Sequence, residues 1–161
     1  MSTNSLTGTL PEELGNLSNL QELNLATNNL TGTLPSALNN LTSLQILRLY
    51  DNQLQGDIPM LSKLTALQEL SLQKNHLSGS FDSKLRNLTS IEVLNLSNNA
   101  LSGTIPTDLG ELTTLQELSL DANALRGTLP AELGNLSELQ ILLLNNNSLS
   151  GDIPIELANL T

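Results

Sequence analysis

The chain has 161 residues, with 16 acidic and 6 basic side chains and a net charge of −10. This length fits one domain, and the acidic balance disfavours nucleic acid and anionic lipid as partners, because both attract clusters of Lys and Arg. The sequence has no Cys and one His, His76; this excludes a disulfide framework, a cysteine nucleophile and a multi-histidine metal site, and we expect neither a metal nor a cofactor.

Two residue types dominate the composition: Leu occurs 42 times and Asn 20 times. The aromatic residues are only Tyr50 and Phe81. A core made almost entirely of Leu must be regular, because nothing bulky is available to fill irregular gaps. No apolar run approaches the roughly 20 residues that span a bilayer. The N-terminal Met1–Asn4 lacks the basic and apolar regions of a signal peptide.

A pattern of 24 residues, L-x-x-L-x-L-x-x-N-x-L-x-G-x-L-P-x-x-L-x-N-L-x-x, recurs along the chain. All 10 Gly and all 6 Pro fall at fixed positions of this pattern, and Asp82 is the one departure from the Pro position. One unit is a residue short, just after Pro59. The sequence therefore predicts a single domain, 1–161, made of a partial repeat 4–19 and the repeats 20–43, 44–66, 67–90, 91–114, 115–138 and 139–161.

Each unit predicts a short strand followed by a turn. In Leu23-x-Leu25 the spacing of two points both Leu side chains to one side of a strand. One coil cannot bury its own ring of Leu, so successive coils must stack at about 4.8 Å and cover one another. An Asn recurs where the strand ends, and an inward amide there can donate and accept hydrogen bonds at once. We assign these Asn a structural role: Asn28, Asn52, Asn75, Asn99, Asn123 and Asn147.

The L-x-x-L-x-L-x-x-N core, extended by L-x-G-x-[IL]-P-x-x-L-G-x-L, resembles the plant-type subclass of the leucine-rich repeat family over residues 4–161. The resemblance implies an α/β-type solenoid that is mostly β and loop. It implies a right-handed superhelix with a parallel concave sheet, convex 3₁₀ turns and short second strands. It also implies a binding function, since a solenoid usually binds through its concave sheet.

Side chains of the predicted concave face vary from coil to coil. One position alternates between Glu and a β-branched residue, which doubles the distance between like charges: Glu22, Ile46, Glu69, Val93, Glu117 and Ile141. The richest neighbourhood lies on two adjacent coils and includes the only Tyr and the only His; Tyr and Arg are enriched at interface anchors. Its residues, which we call the predicted patch, are Arg48, Tyr50, Asp51, Gln73, Lys74 and His76. The alternative is an ordinary solvated face.

The x-G-x positions after each strand present a second array, in which four of the seven coils carry two hydroxyls, as at Thr7 and Thr9. Such an array suggests an ice-binding solenoid as an alternative function. However, Gln55, Asp57, Arg126 and Asp152 interrupt it, and Thr and Ser also suit a short second ladder by propensity alone.

The repeat also contains N-x-[ST] sequons, which could carry glycans in a secreted protein. The candidates are Asn16, Asn29, Asn40, Asn87 and Asn135. No residues combine into a catalytic arrangement, because the carboxylates are spread at repeat spacing and His76 has no matched partners. We therefore predict no enzymatic activity.

These features predict a rigid recognition scaffold whose partner is another protein or a peptide. By resemblance, it is part of a receptor-like ectodomain, a secreted inhibitor that acts on a carbohydrate-associated protein, or a subunit of a larger assembly. The resemblance implies an extracellular or cell-surface location, although the chain shows no signal peptide. The terminal coils lack the paired Cys that usually cap such solenoids, so we expect a fragment or a subunit.

Overall fold

The computed structural model describes residues 4–80 and 85–160. In these residues the chain forms a leucine-rich repeat solenoid of stacked coils, as the sequence predicts. Phe81 and Asp82 lie outside the described residues. Among the described residues, no helix is long and apolar enough to cross a membrane.

One parallel sheet of six strands, the main sheet, takes one strand from each full coil, and neighbouring strands in the sheet come from consecutive coils. Its strands are Glu22–Asn24, Ile46–Arg48, Glu69–Ser71, Val93–Asn95, Glu117–Ser119 and Ile141–Leu143. Each strand position pairs with the same position of the next coil, so that Leu23 is level with Leu47 and Leu47 with Leu70. The 24-residue period therefore sets the register directly.

A second parallel ladder, the side ladder, follows the main sheet along each coil and forms the predicted short second strands. Its strands are Thr7–Thr9, Asn29–Thr31, Gln55–Asp57, His76–Gly79, Ala100–Gly103, Ala124–Gly127 and Ser148–Leu149. The first two strands pair with each other, the other five form one sheet, and a single bridge from Thr33 to Gln55 connects the two groups. The glycines of the x-G-x positions lie here with φ between +73° and +89°, a region that residues with a Cβ rarely adopt.

Short 3₁₀ helices close the coils. They span Glu12–Asn16, Ser36–Asn40, Thr107–Glu111, Ala131–Asn135 and Ile155–Asn159. Each follows a Pro at its N-cap, such as Pro106, where the fixed φ of Pro suits an extended residue and its missing N–H leaves no donor unpaired. The unit 44–66, which is one residue short, has no 3₁₀ helix. The segment after Pro59 runs to the next strand through turns instead.

The core is a stack of Leu layers. In the middle of the stack the inward Leu of successive strands are completely buried, with exposed fractions of 0 to 1% for Leu47, Leu70, Leu94 and Leu118. The equivalent Leu23 and Leu142 of the outer strands are only partly buried. Each layer is therefore covered by its two neighbours, as expected for a stack of coils.

The repeated spacing of Asn gives a chain of buried or half-buried side-chain amides beside the Leu layers. The Asn75 amide nitrogen donates to the carbonyl oxygens of Leu49 and Leu72, both at 3.0 Å. The Asn75 Oδ1 accepts from the backbone N–H of Leu54 at 3.0 Å. The same set of bonds recurs at Asn52, Asn99, Asn123 and Asn147. At Asn28, Oδ1 accepts from the Leu6 N–H of the preceding coil. These side chains satisfy backbone groups that leave the sheet.

Candidate binding surface

The candidate binding surface is the outer face of the main sheet, formed by the side chains that alternate with the buried Leu. It consists of the first and third residues of each strand and the residue two positions further on, where the same alternation continues. The register places Glu22, Ile46 and Glu69 side by side, followed by Val93, Glu117 and Ile141. These are the neighbours that the repeat alignment predicts.

The first half of this face is crossed by an ion-pair network around Arg48. The Nε of Arg48 donates to Glu69 Oε1 at 2.7 Å, and its Nη2 donates to Glu69 Oε2. Its Nη1 donates to Glu22 Oε1 at 3.2 Å. The Ser71 hydroxyl adds a bond of 2.7 Å to Glu69 Oε1. The guanidinium therefore bridges three coils and neutralises the two Glu beside Ile46.

The ionisation of the two main partners reflects this geometry. Burial raises the pKa of Glu69, but the hydrogen bonds from Arg48 and Ser71 and the charge of Arg48 outweigh it, so the pKa lies below its usual value. The hydrogen bond to Glu69 raises the pKa of Arg48 above its usual value. The side chain of Glu69 is 19% exposed, whereas that of Glu22 is 52% exposed. The bidentate pair with Glu69 is accordingly the stronger of the two interactions.

The structure brings most of the predicted patch together on two coils but gives its members different roles. Tyr50 and Gln73 are half-buried, and the Oε1 of Gln73 is buried without a hydrogen-bond partner among the described residues. Asp51 and Lys74 are exposed at the strand exits, with φ of 57° and 56°. His76 is exposed but begins a strand of the side ladder, paired with Gln55, so it lies away from the main sheet.

Sequence reasoning missed the ion-pair network. The sequence predicts that Arg48 faces a partner, whereas in the structure all three of its side-chain nitrogens donate to Glu22 and Glu69. A signal was present, because the register places Arg48 on the strand between the two Glu-bearing strands.

In the second half of the face, the polar groups bond among themselves. The Asn95 amide nitrogen donates to Glu117 Oε1 at 3.1 Å, and the Ser119 hydroxyl donates to the same oxygen at 2.8 Å. The Asn95 Oδ1 accepts from the hydroxyl of Ser97 at 2.8 Å. Beyond them Ile141 and Leu143 are 45% and 43% exposed. This half is thus acidic and apolar, with no basic side chain on the described outer face.

The remaining candidates lie on other faces. The side ladder presents exposed Thr31 and Thr33 but is interrupted by Gln55, Asp57 and Arg126, all of them exposed. The sequon residues are exposed as well: Asn16, Asn29, Asn40, Asn87 and Asn135. Three of them, Asn16, Asn40 and Asn135, end 3₁₀ helices, away from the main sheet. Their modification stays a prediction.

The described residues show neither a metal-binding group nor a deep pocket. Within residues 4–80 and 85–160, no group of three or more His, Asp or Glu side chains is placed to hold a metal ion. Shallow depressions occur at the two ends of the stack, one lined by Leu139, Leu142 and Leu160 and the other by 16–20. Both follow the edges of terminal Leu layers, so what the molecule offers a partner is an extended surface.

A repetitive Leu core, a ladder of Asn side chains and an uncovered polar sheet face define a leucine-rich repeat solenoid. The chain belongs to the leucine-rich repeat family: the sequence model of a leucine-rich repeat region matches residues 2–103, and single leucine-rich repeats match 114–136 and 138–160. No curated protein matches the chain.

Solved structures of plant receptor ectodomains are similar to the chain. One is the leucine-rich repeat ectodomain of the plant membrane receptor kinase GASSHO1/SCHENGEN3 from Arabidopsis thaliana, in complex with CASPARIAN STRIP INTEGRITY FACTOR 2; it is 42% identical over 99% of this chain and 19% of that chain, with a TM-score of 0.97. Another is the Arabidopsis receptor kinase HAESA in complex with the peptide hormone IDA and the co-receptor SERK1, 38% identical over 100% of this chain and 27% of that chain, with a TM-score of 0.96. The chain thus spans less than a third of the length of these ectodomains.

Proposed function

We propose that this chain is a non-catalytic recognition segment that binds a peptide or another protein on the outer face of its main sheet. The observation that carries the proposal is the division of roles along each strand. The inward position is Leu in every coil, whereas the first outward position changes from Glu to Ile to Glu and the second from Asn to Arg to Ser. Inward side chains build the stack, and outward side chains are free to serve recognition.

Rigidity supports the same function. Buried amides and Leu layers hold every outward side chain on a parallel sheet, so a partner would meet a surface that is already ordered. A pre-organised surface lowers the conformational entropy lost on binding. The net charge of −10 favours a partner with basic or polar groups.

The setting of this segment follows from the similar structures. Both neighbours are described as receptor kinase ectodomains in complex with a factor or a peptide hormone. We infer that the chain is part of a receptor-like protein outside the cell. In such a protein the segment would contribute part of a longer binding surface, and its own share would be the outer face described above.

Selection of binding peptides from a random library tests the proposal. We would select peptides from a displayed dodecapeptide library on the immobilised chain and map the bound state by amide hydrogen exchange. We expect slower exchange in the main-sheet strands and at their exits. Selected peptides that protect only the side ladder or the 3₁₀ helices, or a library that yields no binder to the sheet, would contradict the proposal.

Variants of the predicted patch refine this test. Tyr50→Ala and Arg48→Ala should each weaken the binding of peptides that contact residues 46–76. Thr113→Ala, at an exposed position away from the sheet, should leave this binding unchanged. Unchanged affinity in both patch variants, for peptides that do protect the main sheet, would remove the patch from the proposed site.

A further inference from the structure

Two glutamates of the outer face, Glu69 and Glu117, are built alike. They occupy the same strand position two coils apart, each pairing with Val93 of the strand between them. Each is followed two residues later by a Ser whose hydroxyl donates to its Oε1, at 2.7 Å from Ser71 and 2.8 Å from Ser119. The local backbone and the first hydrogen bond are therefore the same at both sites.

The two sites differ in the group that fills them. At Glu69 the third residue of the preceding strand is Arg48, which engages both carboxylate oxygens. At Glu117 the equivalent residue is Asn95, whose amide reaches Oε1 only, at 3.1 Å. Among the described residues, nothing donates a hydrogen bond to Glu117 Oε2. Glu117 is thus a copy of the Glu69 site from which the guanidinium is missing.

Among the described residues, no cation of this chain forms an ion pair with Glu117. Residues 91–161 contain nine acidic side chains and one basic side chain, Arg126. Arg126 lies on the side ladder, paired with Ser148, and not on the outer face. A carboxylate on a half-buried surface gains most from a charged donor, and here the donor must come from outside the chain.

Apolar side chains lie on both strands beside Glu117. Val93 and Ile141 are level with Glu117 on the two adjacent strands, and Leu143 is level with Ser119. Ile141 and Leu143 remain 45% and 43% exposed. At the Glu69 site the equivalent neighbours are Ile46 on the preceding strand and Val93 on the following strand. A partner that covers the aliphatic residues would shield the ion pair at Glu117 from water and strengthen it.

We propose that Glu117, with Val93, Ile141 and Leu143, forms a socket for an arginine side chain of the partner, followed in the partner by an aliphatic residue. This socket rests on the proposed function, since it assigns a ligand chemistry to one part of the outer face. The guanidinium binds Glu117 as Arg48 binds Glu69, and the aliphatic residue packs on Ile141 and Leu143. The predicted patch at residues 48–76 offers no such opening, because its own Arg is already paired.

The test uses the peptides selected on the intact chain and two variants. Glu117→Gln keeps the shape of the side chain and removes its charge. Asn95→Arg supplies an internal guanidinium and copies the Arg48–Glu69 pair, so it should plug the socket. We expect the selected peptides to be enriched in Arg. We expect each variant to lower the affinity of these peptides by about tenfold. Replacing the peptide Arg by Leu should have the same effect, and replacing it by Lys a smaller one.

Controls separate the outcomes. Glu111→Gln, at an exposed acidic residue of a 3₁₀ helix, removes the same charge elsewhere and should leave affinity unchanged. Melting temperatures of all variants show whether folding is retained, and Glu117→Gln decides alone if Asn95→Arg does not fold. Peptides that protect the main sheet yet keep their affinity in Glu117→Gln would overturn the socket and leave the proposed function standing. Peptides that do not touch the main sheet would overturn both.

Discussion

At the scale of the residue, one cation on the outer face, Arg48, neutralises two of its carboxylates. The alternation of Glu with Ile and Val separates the carboxylates by two strands, and Arg48 then bridges the pair that flanks Ile46. The alternation could be read from the repeat alignment. The alignment also places Arg48 between the two Glu-bearing strands, but it does not give the bridge itself, which depends on the rotamer that Arg48 adopts.

The lowered pKa of Glu69 predicts a pH-dependent contribution to stability. A carboxylate whose pKa is lower in the folded than in the unfolded chain stabilises the fold above its unfolded pKa, and this contribution is lost as the pH falls through the folded value. We expect Glu69→Gln to lower the free energy of unfolding by about 1 kcal/mol at neutral pH. The difference should shrink as the pH drops below about 4.3. Urea unfolding of both proteins from pH 7 to pH 3 measures it.

Glu111→Gln serves as the matched control, since Glu111 is exposed and no ion pair to it occurs among the described residues; its substitution should change stability little at any pH. A loss of stability in Glu69→Gln that stays constant down to pH 3 would show that the charge of Glu69 does not cause it.

A left-handed backbone column shows the limit of sequence reasoning at the same scale. The residue before each ladder Asn has φ between 52° and 57°: Thr27, Asp51, Lys74, Asn98, Ala122 and Asn146. The sequence does not predict this conformation, because the column mixes residue types and Thr in particular disfavours it. The hydrogen bonds on either side, such as Thr27 N–H to the Tyr50 carbonyl at 2.9 Å, impose it.

At the scale of the element, the 3₁₀ helices pack so closely that Gly is required between them. A Cβ on Gly110 would lie 2.4 Å from the carbonyl oxygen of Glu132 in the next coil. Gly15 and Gly134 show the same close approach. In the coil that precedes the short unit, Asn39 stands at this position, and its Oδ1 accepts from the Lys63 N–H at 2.9 Å. Gly is therefore present where helix meets helix, and a side chain takes its place where the next helix is missing.

Gly110→Ala is expected to destabilise the chain by about 1–3 kcal/mol, because the added methyl group must push two packed coils apart. In an ordinary helix the same substitution would be favourable, so the sign of the effect is diagnostic. The midpoint of urea unfolding measures it, and Glu111→Ala in the same helix provides the control. A Gly110→Ala variant at least as stable as the parent would show that the coils can separate without cost.

The alignment located the short unit after Pro59, but it did not predict the loss of the helix. A repeat alignment gives the number of residues between two strands, but it does not show whether their backbone turns as a 3₁₀ helix. The 24-residue period predicts where the elements lie. The loss of the 3₁₀ helix in the unit 44–66 is seen only in the structure.

At the scale of the whole molecule, stability should follow position in the stack. Leu94 is fully buried between two coils, whereas the equivalent Leu23 is partly exposed. We expect Leu94→Ala to lower the free energy of unfolding by about 3 kcal/mol and Leu23→Ala by about half as much. The two residues occupy the same repeat position and serve as each other's control in urea unfolding. Equal losses would contradict a core built from neighbouring layers alone.

The Asn side chains of the amide ladder bond to residues that precede them in the chain, and this bears on how the solenoid can fold during synthesis. Each Asn binds its own coil and the coil before it, as Asn75 does with Leu72 and with Leu49 and Leu54. A nascent chain leaves the ribosome N-terminus first, so every newly exposed Asn finds its distant partners already translated. The solenoid can therefore grow one rung at a time behind the ribosome, with no amide waiting for a segment still to be made.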